Sequence, residues 1–317
     1  MKWEDLRKSR NIKDQRGQSS GRQSSANRGS SMQGSNMGSS LLWMLLGSGG
    51  GKGKWLLIAV VAFMLIGGGG SGLFDLGFNT DNSTTTNQTT NTNFEYETSN
   101  ADVSDEEYDF LAAVLGSTED YWTEEFARYD LDYRYPTLVV YTGSVQTNGC
   151  GFGTTQVGPF YCPADETLYI DLQFYRDLTT QYDAPGDFAM AYVVAHEVGH
   201  HVQNLVGTMD QYNAAIRQLS EKEKNALNVR LELQADYYAG AWASFVEGEG
   251  ILESGDIEEA MQAAHAVGDD TLQEQAYGRT VPDSFTHGTS EQRQAWFMRG
   301  FENGTLSGGD TFNEAID

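Results

Sequence analysis

The stretch Phe188-Ala189-Met190-Ala191-Tyr192-Val193-Val194-Ala195-His196-Glu197-Val198-Gly199-His200-His201-Val202-Gln203 decides how the rest of the chain is read. It contains His-Glu-x-x-His. Residues four apart on an α-helix lie one above the other on the same face, so His196 and His200 can present two imidazoles to one point in space. That point suits a zinc ion. Glu197 is rotated by about 100° from His196 in a 3.6-residue turn. Its carboxylate therefore lies beside the metal, where it can take a proton from an activated water.

Tyr192, Val193, Val194, Ala195, Val198 and Val202 make this helix apolar nearly all round, the pattern of a buried helix. Two histidines and a glutamate inside it are costly to desolvate unless something pairs with them. That separates a metal site from a chance match on a wet surface helix. His201, one position off the metal-facing pair, is expected behind the ligands or on the surface.

The 317 residues carry a net charge of -25, and its distribution is uneven. Residues 1–54 hold ten Lys/Arg against three Asp/Glu, while the remainder holds ten against forty-two. So acidic a surface repels phosphates, which argues against a nucleic-acid partner. Residues 18–40 are Ser, Gly, Gln and Asn with little else, so residues 1–54 are expected to form a disordered, basic cytoplasmic tail.

From Trp55 to Phe74 runs a segment of twenty uncharged residues, flanked by Lys52, Lys54 and Asp75. Such a helix would span about 30 Å, one bilayer core. The expectation is a single transmembrane helix over 55–74, with the N-terminus cytoplasmic and the rest of the chain outside at the cell membrane. A cleaved secretion signal is the alternative. Residues 75–101 read as an Asn/Thr-rich linker and 102–317 as the folded domain.

In that domain, Val103–Leu115 and Glu119–Tyr129 read as two helices separated by Gly116-Ser117-Thr118. Thr137–Thr142 and Thr167–Asp171 read as strands, and most of the chain beyond Asp171 reads as helix. Pro185-Gly186-Asp187 opens the His-Glu-x-x-His helix and Gly207 closes it. Ser220-Glu-Lys-Glu223 is a capping box for a long helix reaching towards Glu247. Further helices are expected near 255–267, 270–277 and 290–302, with His265 packed inside the first of these. Cys150 and Cys162 are the two cysteines. Outside the cytoplasm they pair as a disulfide, the alternative being two buried thiols.

A catalytic zinc needs a third protein ligand. Glu232 and Asp236 share one helical face within Arg230-Leu-Glu-Leu-Gln-Ala-Asp-Tyr-Tyr-Ala-Gly240, where two like charges call for a cation. Glu232 is the expected ligand, with Asp236 accepting from a ligand histidine's other N–H and fixing its tautomer. The exchange of these roles is the variant. His287, just before a helix capped at Thr289 or Ser290, either donates to an oxyanion or satisfies a local carbonyl.

These pieces, with the opening Met1-Lys-Trp-Glu, Arg16-Gly17, Gly158-Pro-Phe-Tyr-Cys-Pro163, Ala184-Pro-Gly-Asp-Phe188, Gly268-Asp-Asp270 and Pro282-Asp-Ser-Phe-Thr-His-Gly-Thr-Ser-Glu-Gln-Arg293, resemble a bacterial family of neutral zinc metallopeptidases. Its members are single-pass membrane proteins related by motif to gluzincins. The resemblance covers nearly the whole chain. It implies one catalytic zinc on His196, His200 and Glu232, with Glu197 as the base.

The expected fold is α+β: a zincin-like, predominantly helical metallopeptidase domain with a small β-sheet, preceded by a disordered tail and one transmembrane helix. The expected activity is cleavage of a protein or peptide substrate, which could lie along Thr167–Asp171 as an exposed strand. Another zinc-dependent amide hydrolase and a catalytically silent, membrane-tethered scaffold are the rival readings.

Overall fold

The computed structural model describes residues 1–16, 105–182 and 184–316. It is mostly helical with a small mixed sheet. The sheet has the order β1 (Ile12–Asp14), β2 (Thr137–Tyr141), β6 (Thr167–Asp171), β5 (Phe160–Cys162). The first three run parallel and β5 runs antiparallel to β6. A hairpin of β3 (Ser144–Gln146) and β4 (Phe152–Thr154) lies beside them.

Alternation along the strands divides the core. Leu138, Val140, Tyr161, Leu168 and Ile170 face the helices. Val139, Tyr141, Phe160, Cys162 and Tyr169 face the hairpin and its Val145. The Cys150–Cys162 disulfide ties the hairpin's loop to β5.

The helices are α1 (Asp105–Ala127), α2 (Leu172–Thr180), α3 (Asp187–Leu205), α4 (Thr208–Ala215), α5 (Glu221–Gly248), α6 (Asp256–Ala266), α7 (Asp269–Tyr277) and α8 (Ser290–Asn303). Helix α3 is the centre of the packing, lying against α1, α5, α6 and the strand β5. It ends where Gly207 adopts the left-handed conformation, φ +82°. Helix α5 starts at the capping box formed by Ser220 and Glu223. It packs most extensively against α8.

The N-terminal segment departs from the expected disordered tail. Residues 1–16 are ordered, and β1 extends the sheet beside β2, with Leu138 N donating to Asn11 O at 2.8 Å. Glu119 of α1 is fully buried. Its carboxylate accepts from Ser9 Oγ at 2.6 Å, Asn11 Nδ2 at 2.7 Å and Arg7 Nη2 at 2.9 Å. The amino group of Met1 reaches Asp187 Oδ1 at 2.9 Å, at the start of α3.

The pairing of β1 with β2 also corrects the single transmembrane helix. No helix among the described residues is long and apolar enough to cross a membrane. The expected span, 55–74, lies outside the described residues. A single crossing there would place residues 1–16 and 105–316 on opposite sides of a bilayer, yet β1 and β2 are hydrogen-bonded neighbours. Residues 18–54 and the linker 75–101 also lie outside the described part.

Helix α1 is one continuous element where two were expected. Ser117 Oγ and Thr118 Oγ1 donate back to Val114 O and Leu115 O, both at 2.7 Å, so their hydroxyls are satisfied inside the helix and do not cap a new one. Gly116 is there for close approach, since a Cβ at this position would sit 2.0 Å from Arg7 O. His265 is exposed, not packed. The apolar face of α6 is built from Ala260, Ala263 and Ala264, and residue 265 lies off it by a further 100° or so of helical rotation.

His201 is fully buried and stands apart from the metal-facing pair. Its Nδ1 accepts from Tyr161 OH of β5 at 2.9 Å, and its Nε2–H donates to Arg134 O at 2.6 Å, which stitches α3 to the sheet. Burial lowers its pKa to about 4, against the pull of the Arg134 carbonyl.

These contacts can be tested at two residues. Gly116→Ala should displace residues 7–9 and destabilise the protein by about 1–3 kcal/mol, an overpacking cost; trypsin should then cut at Arg7, Lys8 or Arg10 faster than in the unmutated protein. For His201, the unfolded chain takes a proton near pH 6.5 that the folded protein does not take until about pH 4. Stability is therefore lost as pH falls through that window, by up to about 3 kcal/mol. His201→Gln should remove about one proton from the slope of unfolding free energy against pH there, as read by urea denaturation.

Candidate metal centre

Helices α3 and α5 bring together the residues singled out by their spacing. His196 and His200 lie one turn apart on α3, with ring centroids separated by 4.8 Å. Glu232 enters from α5, its Oε2 3.3 Å from His196 Nε2 and its Oε1 3.7 Å from His200 Nε2. One ligand atom from each of the three lies within 4.8 Å of the others, and all three residues are buried. Gly199 permits this approach, because a Cβ there would meet Ala235 O of α5 at 2.9 Å.

Each imidazole is oriented from behind. His196 Nδ1–H donates to Asp236 Oδ1 at 2.8 Å. His200 Nδ1–H donates to Gln203 Oε1 at 2.9 Å, and Gln203 is itself held by its Nε2 donating to Leu231 O at 2.6 Å. With both Nδ1 atoms so engaged, both Nε2 atoms are left to face Glu232, and each imidazole in its neutral form turns its lone pair there. Asp236 thus lies on the far side of His196 from Glu232. The geometry separates the two carboxylates as ligand candidate and imidazole partner.

Asp236 is fully buried and heavily bonded. Beyond His196 it accepts from Tyr192 OH at 2.5 Å and from Arg293, whose Nε reaches Oδ2 at 2.8 Å and Nη2 reaches Oδ1 at 2.9 Å. Against burial, Arg293 and His196 hold its carboxyl down at about 2. Burial also opposes a proton on His196, but Asp236 and Glu232 outweigh it and hold its pKa up at about 9. Glu232 is held well below the usual carboxylate range, against burial, by His200 and His196. These carboxylates draw positive charge onto the His196 imidazole.

Glu197 lies beside the cluster, 7% exposed, and its Oε2 is buried with no hydrogen-bond partner among the described residues. Burial raises its pKa, against the pull of His200 and His196. With both imidazoles neutral, as metal binding requires, Glu197, Glu232 and Asp236 set against Arg293 carry a net charge of two negatives in a buried site, which a divalent cation balances. Two imidazoles and a carboxylate are also the donor set that zinc takes in hydrolytic sites. The residues fit the ion.

His287 lines the same cleft as His196, Glu197, His200 and Glu232. Its Nδ1 is 3.2 Å from Asp269 Oδ1. Asp269 Oδ2 accepts from the backbone N–H groups of Thr286 and His287 at 2.6 Å and of Gly288 at 3.1 Å, fixing the loop. His287 Nε2 is then the nitrogen left for a ligand. Although burial opposes it, Asp269 raises the pKa of His287.

The opposite wall of the cleft is apolar, formed by Val157, Pro159, Phe160 and Phe174. The cleft encloses about 680 Å³, counting the open space at its mouth.

Four contributors to the site are not marked by the His-Glu-x-x-His motif or the acidic pair. Tyr192 and Gln203 sit four residues before His196 and three after His200, so helical spacing carries a usable signal for both. Arg293 and Asp269 come from other elements, and no local pattern in the chain points from them to the site.

No solved structure matches the chain. Among curated proteins, "Uncharacterized protein YpfJ" of Escherichia coli strain K12 is 50% identical over 212 residues, 67% of this chain and 74% of that protein. "Uncharacterized protein Rv2575" of Mycobacterium tuberculosis strain H37Rv is 44% identical over 194 residues, 58% of this chain and 64% of that protein. A family profile matches residues 1–312, a range that includes the ordered N-terminal segment, both metal-facing helices and Arg293, and the chain belongs to that family, described as "Putative neutral zinc metallopeptidase".

Proposed function

We propose that the protein is a zinc endopeptidase in which His196, His200 and Glu232 hold the ion and Glu197 moves the proton. The observation that carries this reading is the convergence of two Nε2 lone pairs and one carboxylate, with the unpartnered Oε2 of Glu197 alongside. Zinc bound to such a donor set polarises a carbonyl and brings the pKa of a water towards about 7.

The rest is the work of the chain. Burial raises the affinity of Glu197 for the proton it takes from the attacking water, and the same carboxyl can pass that proton to the leaving amine. His287, held through Nδ1 by Asp269, can in its protonated form, which Asp269 favours, offer Nε2–H to the carbonyl oxygen as negative charge develops on it. The apolar wall excludes water and suits a bulky apolar side chain next to the cut.

The expected substrate strand needs correcting. Thr167–Asp171 is the interior strand β6, bonded to β2 on one side and β5 on the other. Strand β5 is the sheet edge, and its Phe160, with Gly158 and Pro159 before it, lines the cleft. An extended peptide laid along β5 would pass the metal ligands. The Cys150–Cys162 disulfide supports an oxidising compartment outside the cytoplasm as the place of action.

The test pairs zinc content with cleavage of an unstructured protein. Glu197→Gln should bind zinc stoichiometrically and lose roughly 10²- to 10⁴-fold in kcat; unchanged cleavage would remove Glu197 from the mechanism. Glu232→Ala should lose zinc on dialysis, and stoichiometric retention would move the third ligand elsewhere. For His287→Ala, a fall in kcat of roughly 10²- to 10³-fold at little-changed KM is expected. An effect confined to KM would make His287 a substrate-binding residue only.

A further inference from the structure

Arg293 is 4% exposed, and the carboxylate it pairs with is fully buried, so this is no surface ion pair. It comes from α8, an element that supplies none of the metal-facing atoms, and it reaches across to the carboxylate behind His196. We infer that Arg293 is a positioning residue for the metal centre, setting the orientation of His196 through Asp236, so that docking of α8 and the affinity of the site for zinc are coupled. This goes beyond the proposed peptidase reaction but rests on its metal assignment.

The geometry is that of a fork. Nε and Nη2 lie 2.8 and 2.9 Å from Oδ2 and Oδ1 of Asp236, a bidentate pairing that fixes the carboxylate in its plane as well as in position. Nη2 also donates to Tyr192 OH at 3.1 Å, and that hydroxyl donates to the same Oδ1 that receives His196 Nδ1–H. Tyr192 and His196 are one turn apart on α3. Three elements therefore meet on one oxygen, and Oδ1 has little freedom to turn. Any rotation of the carboxylate would carry the imidazole with it and swing Nε2 away from Glu232.

The root of α8 is itself anchored. Thr289 and Gln292 form a capping box, Ser290 N donates to Asp270 Oδ1 at 2.8 Å, and Asp269 grips the loop that carries His287. The short segment 287–293 therefore brings His287 to the cleft and Arg293 behind His196 as one unit. A lysine at 293 would keep the charge, but one ammonium on a flexible stem cannot reproduce the planar two-point hold.

The experiment measures zinc affinity of the full chain by competition with a chromophoric chelator, for the unmutated protein, Arg293→Met and Arg293→Lys. Thermal unfolding is measured with and without zinc. Loss of an outer partner of a metal ligand weakens binding by roughly 10- to 100-fold. That loss is expected for Arg293→Met, with a smaller one for Arg293→Lys and a reduced zinc-induced rise in Tm for both. The visible spectrum of the cobalt-loaded Arg293→Lys protein should differ from that of the unmutated protein, as a changed ligand geometry requires.

A role in folding alone would lower Tm without zinc and leave affinity and spectrum unmoved, and that result overturns the inference. Should Arg293→Met fail to fold, Arg293→Lys decides by the same readouts. An unmutated chain that binds zinc but cleaves nothing would remove the peptidase reading and leave this one standing. Unaltered zinc affinity in the folded variants would do the reverse.

Discussion

The structure turns on the carboxylate of Asp236. A fully buried carboxylate is costly unless its lone pairs are used and its charge is met. Here His196, Tyr192 and Arg293 do both. The donors come from α3 and α8 while the acceptor comes from α5, so this single group fixes how three helices meet. Once they meet that way, Glu232, one turn before Asp236 on α5, is placed opposite the Nε2 atoms of His196 and His200. The requirement that a buried charge be satisfied and the requirement that a metal find three ligands are met by the same packing.

Much of this is legible in the chain, and the reason is locality. The His-Glu-x-x-His spacing, the apolar sheath around it, the Glu232/Asp236 pair and the capping box at Ser220 each express themselves within one or two helical turns. Short-range periodicity is what a sequence displays most directly. Tyr192 and Gln203 are open to the same argument, being at helical spacing from the two histidines they support.

What is not legible depends on partners distant in the chain. The polar residues Ser9 and Asn11 resemble those of a disordered tail until Glu119 is placed beside them, and a three-residue strand such as β1 acquires meaning only from β2. Gly116-Ser117-Thr118 looks like a break because glycine and hydroxyl residues commonly end helices. It is instead a contact surface, where the missing Cβ admits Arg7. The expected membrane crossing fails for the same reason. It rests on one apolar segment, whereas the sheet joins the chain on either side of that segment.

The cleft has two sides of different character. One side, built by α3, α5 and the segment 285–293, is a network of buried charges and hydrogen bonds in which each group constrains the next. Change there is felt at the ligands. The other side is Val157 to Phe160 with Phe174, apolar residues placed by β5, α2 and the disulfide-tied hairpin. Apolar side chains such as these have no hydrogen bond to offer His196, His200 or Glu232. Packing of this kind tolerates changes of size far better than a charged network tolerates the loss of a partner. On the proposed reading, chemistry and substrate choice fall to separate parts of the chain, and residues 157–160 and 174 are the ones free to vary with the peptide while helices α3 and α5 stay as they are.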